Sequence, residues 1–139
     1  MTKARCTFHR CARVFTAAAA AVALWSGCSQ MADEPSIDLK PAGSQISFRQ
    51  DVKPIFIAYR CPSCHGGTSG LTVETVASLL AGGDHGPAIR PGNADSSILV
   101  KKLSPAPPFG VRMPMGGPYL PETTINEIRA WIDQGAKDN

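Results

Sequence analysis

The sequence predicts an all-α domain of three to four short helices joined by long structured loops, and three observations carry that expectation. With 13 Gly and 12 Pro in 139 residues, the chain is punctuated too often for a large helical bundle or a regular sheet. Ile125, Ile128 and Ile132 recur at the three- and four-residue spacing of a helix face. No strand-like pattern precedes the cysteine pair at the centre of the chain. A chain of this length holds one modest domain with extensions, which excludes a multidomain enzyme.

The formal charge of +3 is a property of the head of the chain. The first 27 residues carry Lys3, Arg5, Arg10 and Arg13 and no acid, leaving 10 bases against 11 acids, or −1, in the remainder. No basic footprint for nucleic acid survives that subtraction. A basic start followed by an Ala-dominated stretch of 12 residues over 14–25 has the layout of an export signal. A stable bilayer-spanning helix needs about 18 or more apolar residues, so this stretch is a signal core. Leu24, Trp25, Ser26, Gly27 and Cys28 resemble a bacterial lipobox, with Trp25 where Leu is usual. The expected organisation is a lipoprotein-type signal over 1–27, a flexible tether over 28–45 and a folded domain over 46–139. The expected location is the periplasmic face of a bacterial membrane, with a lipid anchor on Cys28. Cys6 and Cys11 leave with the signal, so only Cys61 and Cys64 remain to be explained and no disulfide framework is possible.

Within the domain, Asp51 is expected to cap a helix over 52–61, with Pro54 in the first turn where its missing N–H is tolerated. A second helix over 73–81 has Thr72 as its cap and Gly82 and Gly83 as its stop. A third, over 96–103, has Asp95 as cap and Pro105 beyond its end. The last, over 122–134, follows Pro121 and ends at Gly135. Its Ile125, Ile128 and Ile132 stripe, with Trp131 beside it, is a core face expected to cross the first helix near Phe56 and Tyr59.

Cys61, Pro62, Ser63, Cys64 and His65 form the CxxCH arrangement of covalent c-type haem attachment. In a helical turn the two cysteines share a face, so both sulfurs reach the vinyl groups on one edge of a porphyrin. His65 then points to the iron as proximal ligand. A thioredoxin-like pair wants a βαβ setting, and a zinc site wants a second ligand pair where only His85 and His9 remain. The expected cofactor is therefore haem c. Met113, Met115 and His85 are the candidates for the sixth position on the iron. Met113 lies 48 residues after His65 in a segment, 105–121, that holds six of the 12 prolines. Such a segment is stiff without regular helix and suits a weak thioether ligand. Met113 is preferred because Pro114 biases it to an extended backbone. Met115, before Gly116 and Gly117, reads as apolar filling at the haem face or rim. His85 sits in a glycine loop and reads as solvated surface; as a ligand it implies a much lower potential. Arg90, Arg112 and Tyr119 are further candidates for the haem propionates or edge.

Together these pieces resemble the planctomycete-type cytochrome c, a small class I-like monohaem domain. The resemblance rests on residues 48–56, 61–66 and 86–92, on Arg112, Met113 and Pro114, and on 125–136 with its ending Trp131, Ile132, Asp133, Gln134, Gly135 and Ala136. It implies a class I cytochrome c-like fold around one covalently bound haem, with Met113 as distal ligand. Members of that family commonly carry Pro and Gly after the methionine, whereas here Met115 intervenes. The function expected is transfer of single electrons between redox protein partners at the cell envelope, without enzymatic turnover or catalytic residues. The alternative is a haem sensor or peroxidase-like protein with a labile sixth ligand, for which the sequence offers no convincing distal acid and base pair.

Overall fold

Ser47 sets the first helical element: its hydroxyl accepts the Gln50 N–H at 3.2 Å, while Asp51 reaches back to accept the Ser47 N–H at 2.6 Å. The computed structural model describes Lys40, Pro41 and residues 43–139. The predicted signal, Cys28 and the tether as far as residue 39 lie outside the described residues. From Ser47 the chain forms a π-helical turn, Phe48–Val52, that runs into α1, Lys53–Ala58. Asp51 thus closes the cap from inside the turn, and the helical path begins four residues before its expected start. It also ends earlier than expected. Arg60 adopts a left-handed conformation, φ 56°, and a new single turn, α2, Cys61–Cys64, begins beyond it. Pro62 explains the break, since it has no N–H to give the Ala58 carbonyl and cannot continue α1.

Thr75, not Thr72, caps α3, Val76–Ala81, through a reciprocal box with Ser78. Thr72 is occupied in an isolated bridge with Gly66. Gly82 ends the helix at φ 73°, where a Cβ would stand 1.9 Å from the Gly86 carbonyl oxygen, so no other residue fits. The turn into α4, Ile98–Leu103, is built by Asn93, whose carboxamide oxygen accepts the Ser96 N–H and whose carbonyl accepts the Ser97 hydroxyl. Asp95, the expected cap, is paired instead with Arg129. The final helix, α5, is Glu122–Asp133, close to its expected bounds.

Ile125, Ile128, Trp131 and Ile132 of α5 are buried, as their spacing predicts. Phe48 stands between Trp131, at 5.4 Å, and Phe56, at 6.4 Å and edge-on. The expected crossing of α5 near Phe56 is therefore relayed through Phe48, because the π-helical turn lies in the place foreseen for α1. Behind it, the 92–94 backbone is tied to α5 by the Gly92 N–H on the Ile132 carbonyl and the Ala94 N–H on Asp133. The all-α expectation holds, with five α-helices among the described residues because the CxxCH turn stands apart from α1. Among the described residues there is no strand, only the isolated bridges Gly66 to Thr72 and Gly83 to Gly86. No helix among them is long and apolar enough to cross a membrane.

Lys40 and Ser44, which the sequence assigns to the tether, are bonded to the domain. The Lys40 N–H meets Glu127 at 3.2 Å, its ammonium meets Asp51 at 2.8 Å, and the Ser44 carbonyl accepts from Gln134 at 2.8 Å. Burial pushes the Glu127 carboxyl above its ordinary 4.5, the Asp51 charge adds to this, and Lys40 opposes it. One oxygen of Glu127, a residue only 6% exposed, has no hydrogen-bond partner. Burial acts on Asp51 in the same sense, but Lys40 and the Ser47 N–H outweigh it and hold that carboxyl below its usual value. Since folded Glu127 binds its proton more tightly than the unfolded chain does, this carboxyl's contribution to stability is greatest below pH 4.5 and is lost as pH rises through the raised value. Glu127→Gln removes that slope. Its unfolding free energy from urea titration should exceed that of the wild type at pH 7 by on the order of 1 kcal/mol and match it near pH 4; a less stable variant at pH 7 would show that the carboxylate is favourable where it stands.

Candidate cofactor site

The single turn α2 places Cys61 and Cys64 three residues apart on one side, and neither is in a disulfide. Cys61 is half-buried against the core and Cys64 is exposed. His65 follows at the end of the turn. Its N–H donates to the Cys61 carbonyl at 2.9 Å and its carbonyl accepts the Val73 N–H at 3.2 Å, so the backbone is held from both sides. Burial pushes the Cys61 thiol up to about 11. A thiol kept protonated is the opposite of the low-pKa thiolate that a thioredoxin-like pair uses. Burial, then the Lys102 charge, lowers the His65 pKa and keeps the imidazole neutral, the form that offers a lone pair to a metal.

The methionine loop is stitched to the end of α4. The Met113 N–H donates to the Lys102 carbonyl at 2.8 Å, and the Arg112 Nε donates to the Leu103 carbonyl at 2.7 Å. These are carbonyls that a helix leaves without partners in its last turn. The Lys102 ammonium donates to the carbonyls of Phe109 and Val111, each at 2.6 Å. Met113 is half-buried against the core, whereas Met115 is 72% exposed.

These elements enclose two cavities. The smaller, about 340 Å³, is lined by Cys61, His65 and Met113 together with apolar side chains that include Phe56, Leu71 and Leu99. The larger and more open one, about 950 Å³, shares Cys61, His65, Ser69 and Met113 and adds Cys64 and Met115. Cofactor sites fall in this size range and have this mostly apolar character. The Nδ1 of His65 is buried without a hydrogen-bond partner. An imidazole, a thioether and two thiols on shared walls suit a covalently held haem. His85 is exposed, lines the smaller cavity and stacks on Phe109 at 3.9 Å. Arg90 is exposed and lines neither cavity, while Arg112 lies over the Tyr119 ring at 4.3 Å and neither of that pair lines them. Among the described residues no group of three or more His, Cys, Asp or Glu is placed to hold a metal ion. Lys102 is the residue that sequence reasoning missed. Its signal was available as a cation in the last turn of a helix, just before the proline-rich loop.

A helical shell carrying a CxxCH turn, with a methionine loop opening on the same apolar cavity, has the layout of a c-type cytochrome domain. Residues 61–114, from the first attachment cysteine through the Met-Pro pair, match the family model of Planctomycete cytochrome C, and the resemblance to planctomycete-type cytochrome c is shown by that match. No curated protein and no solved structure matches the chain.

Proposed function

We propose that this chain is a monohaem c-type cytochrome that carries single electrons between redox protein partners at the periplasmic face of a bacterial membrane, held there by a lipid on Cys28. The observation that carries the reading is that His65 and Met113, far apart in sequence, line the same two cavities as Cys61. Haem c, when bound, supplies a one-electron iron couple. Cys61 and Cys64 would hold the porphyrin by thioethers, and His65 and Met113 would supply an imidazole and a thioether to the iron. The residues of the chain have three tasks. The His65 backbone bonds orient a neutral imidazole; the ties to α4 hold Met113 in place; Phe56, Leu71, Val73 and Leu99 exclude water, which lowers reorganisation and raises potential.

The test is covalent haem itself. Protein matured in a host competent for c-type attachment should give one pyridine haemochrome per chain, and the haem should stay with the polypeptide on a denaturing gel. Cys61→Ala together with Cys64→Ala should remove all haem that survives denaturation, and each single variant should keep a haem on one thioether. Wild-type material with two titratable thiols and no added mass would sink the reading.

A further inference from the structure

We propose that Lys102 is a positioning residue that keeps Met113 on the iron by pinning residues 109–113 to the end of α4. This rests on the assignment of Met113 as sixth ligand and deepens it. One residue makes four separate ties to one short segment. Its ammonium donates to the Phe109 and Val111 carbonyls at 2.6 Å each, its carbonyl accepts the Met113 N–H at 2.8 Å, and its charge lies 4.7 Å from the centre of the Phe109 ring. Lys102 itself lines the smaller cavity beside His65 and Met113. Its amine is committed to two carbonyls, so it acts as a clamp and not as a competing ligand.

The segment needs a clamp. The prolines that lead into it, Pro105, Pro107 and Pro108, have no N–H with which to bond the loop to itself. Gly110, at φ 57°, adds a residue free to swing between Phe109 and Val111. A thioether binds iron weakly, and its apparent affinity falls in proportion to the fraction of loops held in the competent position. Hydrogen bonds from an ammonium to carbonyls are about twice as strong as neutral ones, and here both act on the residues immediately before the ligand. Loss of the ammonium should therefore lower the closed fraction while leaving the two attachment cysteines and the backbone bonds of His65 in place.

The experiment uses holoprotein with equal haemochrome content. Two readings report the sixth position: the weak far-red charge-transfer band of ferric iron bonded to thioether sulfur, and carbon monoxide binding to the ferrous form. Lys102→Met should weaken the band and increase carbon monoxide affinity by ~10-fold or more, a ratio that the loss of two charge-assisted bonds reaches. Lys102→Arg, which keeps charged donors on the same side of the loop, should restore most of both. If Lys102→Met matches the wild type in both readings while Met113→Ala changes them, Lys102 is not the clamp although Met113 is the ligand. If Met113→Ala changes neither reading, the ligand assignment has failed and this inference with it. Should Lys102→Met accumulate poorly, Lys102→Gln is read by the same criteria, with unchanged band and affinity overturning the proposal.

Discussion

Met113→Ala is expected to leave the haem covalently attached while opening its iron. The haemochrome yield should equal that of the wild type, because Cys61, Cys64 and His65 are untouched. The thioether charge-transfer band should vanish, and the reduced protein should take up carbon monoxide that the wild type resists. The reduction potential should fall, since a thioether ligand favours ferrous iron; a tenfold loss of that preference alone lowers it by about 59 mV. Met115→Ala is the control. Met115 is 72% exposed and does not line the smaller cavity, so its removal should leave band, carbon monoxide response and potential in place. If the band disappears with Met115 and persists without Met113, the ligand is misassigned and the larger, more open cavity is where the iron is closed.

The attachment turn was legible because its information is local. Cys61, Cys64 and His65 need only one helical turn and one spacing, and no distant residue decides whether they form it. The core face of α5 was legible for a related reason, since a 12-residue helix shows its period in Ile125, Ile128 and Ile132. What escaped were choices between equivalent local signals. Thr72 and Thr75 both precede an apolar run, and a cap at Thr72 loses because that residue pairs with Gly66 across a small loop. Ser47 and Asp51 are two good capping residues, and both act on one turn, from opposite ends. Asp95 is drawn away from α4 by Arg129, a partner on another helix that a local window does not see.

Lys102 illustrates the deeper limit. A lysine near the end of a helix has a bland reading, a cation that favours the helix dipole and stays in solvent. Its role emerges only when the proline-rich segment folds back and offers the carbonyls of Phe109 and Val111, seven and nine residues on. The prolines make the loop stiff, which was read from sequence. They also deprive it of donors, so the bonds that locate it must come from elsewhere. Stiffness without an anchor leaves Met113 in no particular place, and α4 supplies the anchor.

The largest loss of stability is expected from Trp131→Ala. Trp131 is 0% exposed, sits 5.4 Å from Phe48, and donates from its indole N–H to the Lys137 carbonyl at 3.1 Å. Its own carbonyl accepts the Ala136 N–H at 3.0 Å, so the chain beyond α5 is wrapped around it. Truncation removes the ring on which Phe48 packs and leaves a cavity where α5 meets the π-helical turn. Core Trp to Ala changes cost about 3–5 kcal/mol, a large share of the ~5–15 kcal/mol that holds a domain together. For a domain of this size each kcal/mol lowers the midpoint by about 4–8 °C, so thermal melting of the holoprotein should fall by more than ~10 °C. Ile57→Ala, at a side chain 59% exposed on α1, should shift it little. Trp131 is also the only tryptophan outside the predicted signal, so its emission reports the same packing. In the folded holoprotein that emission should be quenched by the haem and should appear on unfolding. A variant that melts with the wild type, or a bright folded wild type, would mean that α5 does not close the core beside the cofactor.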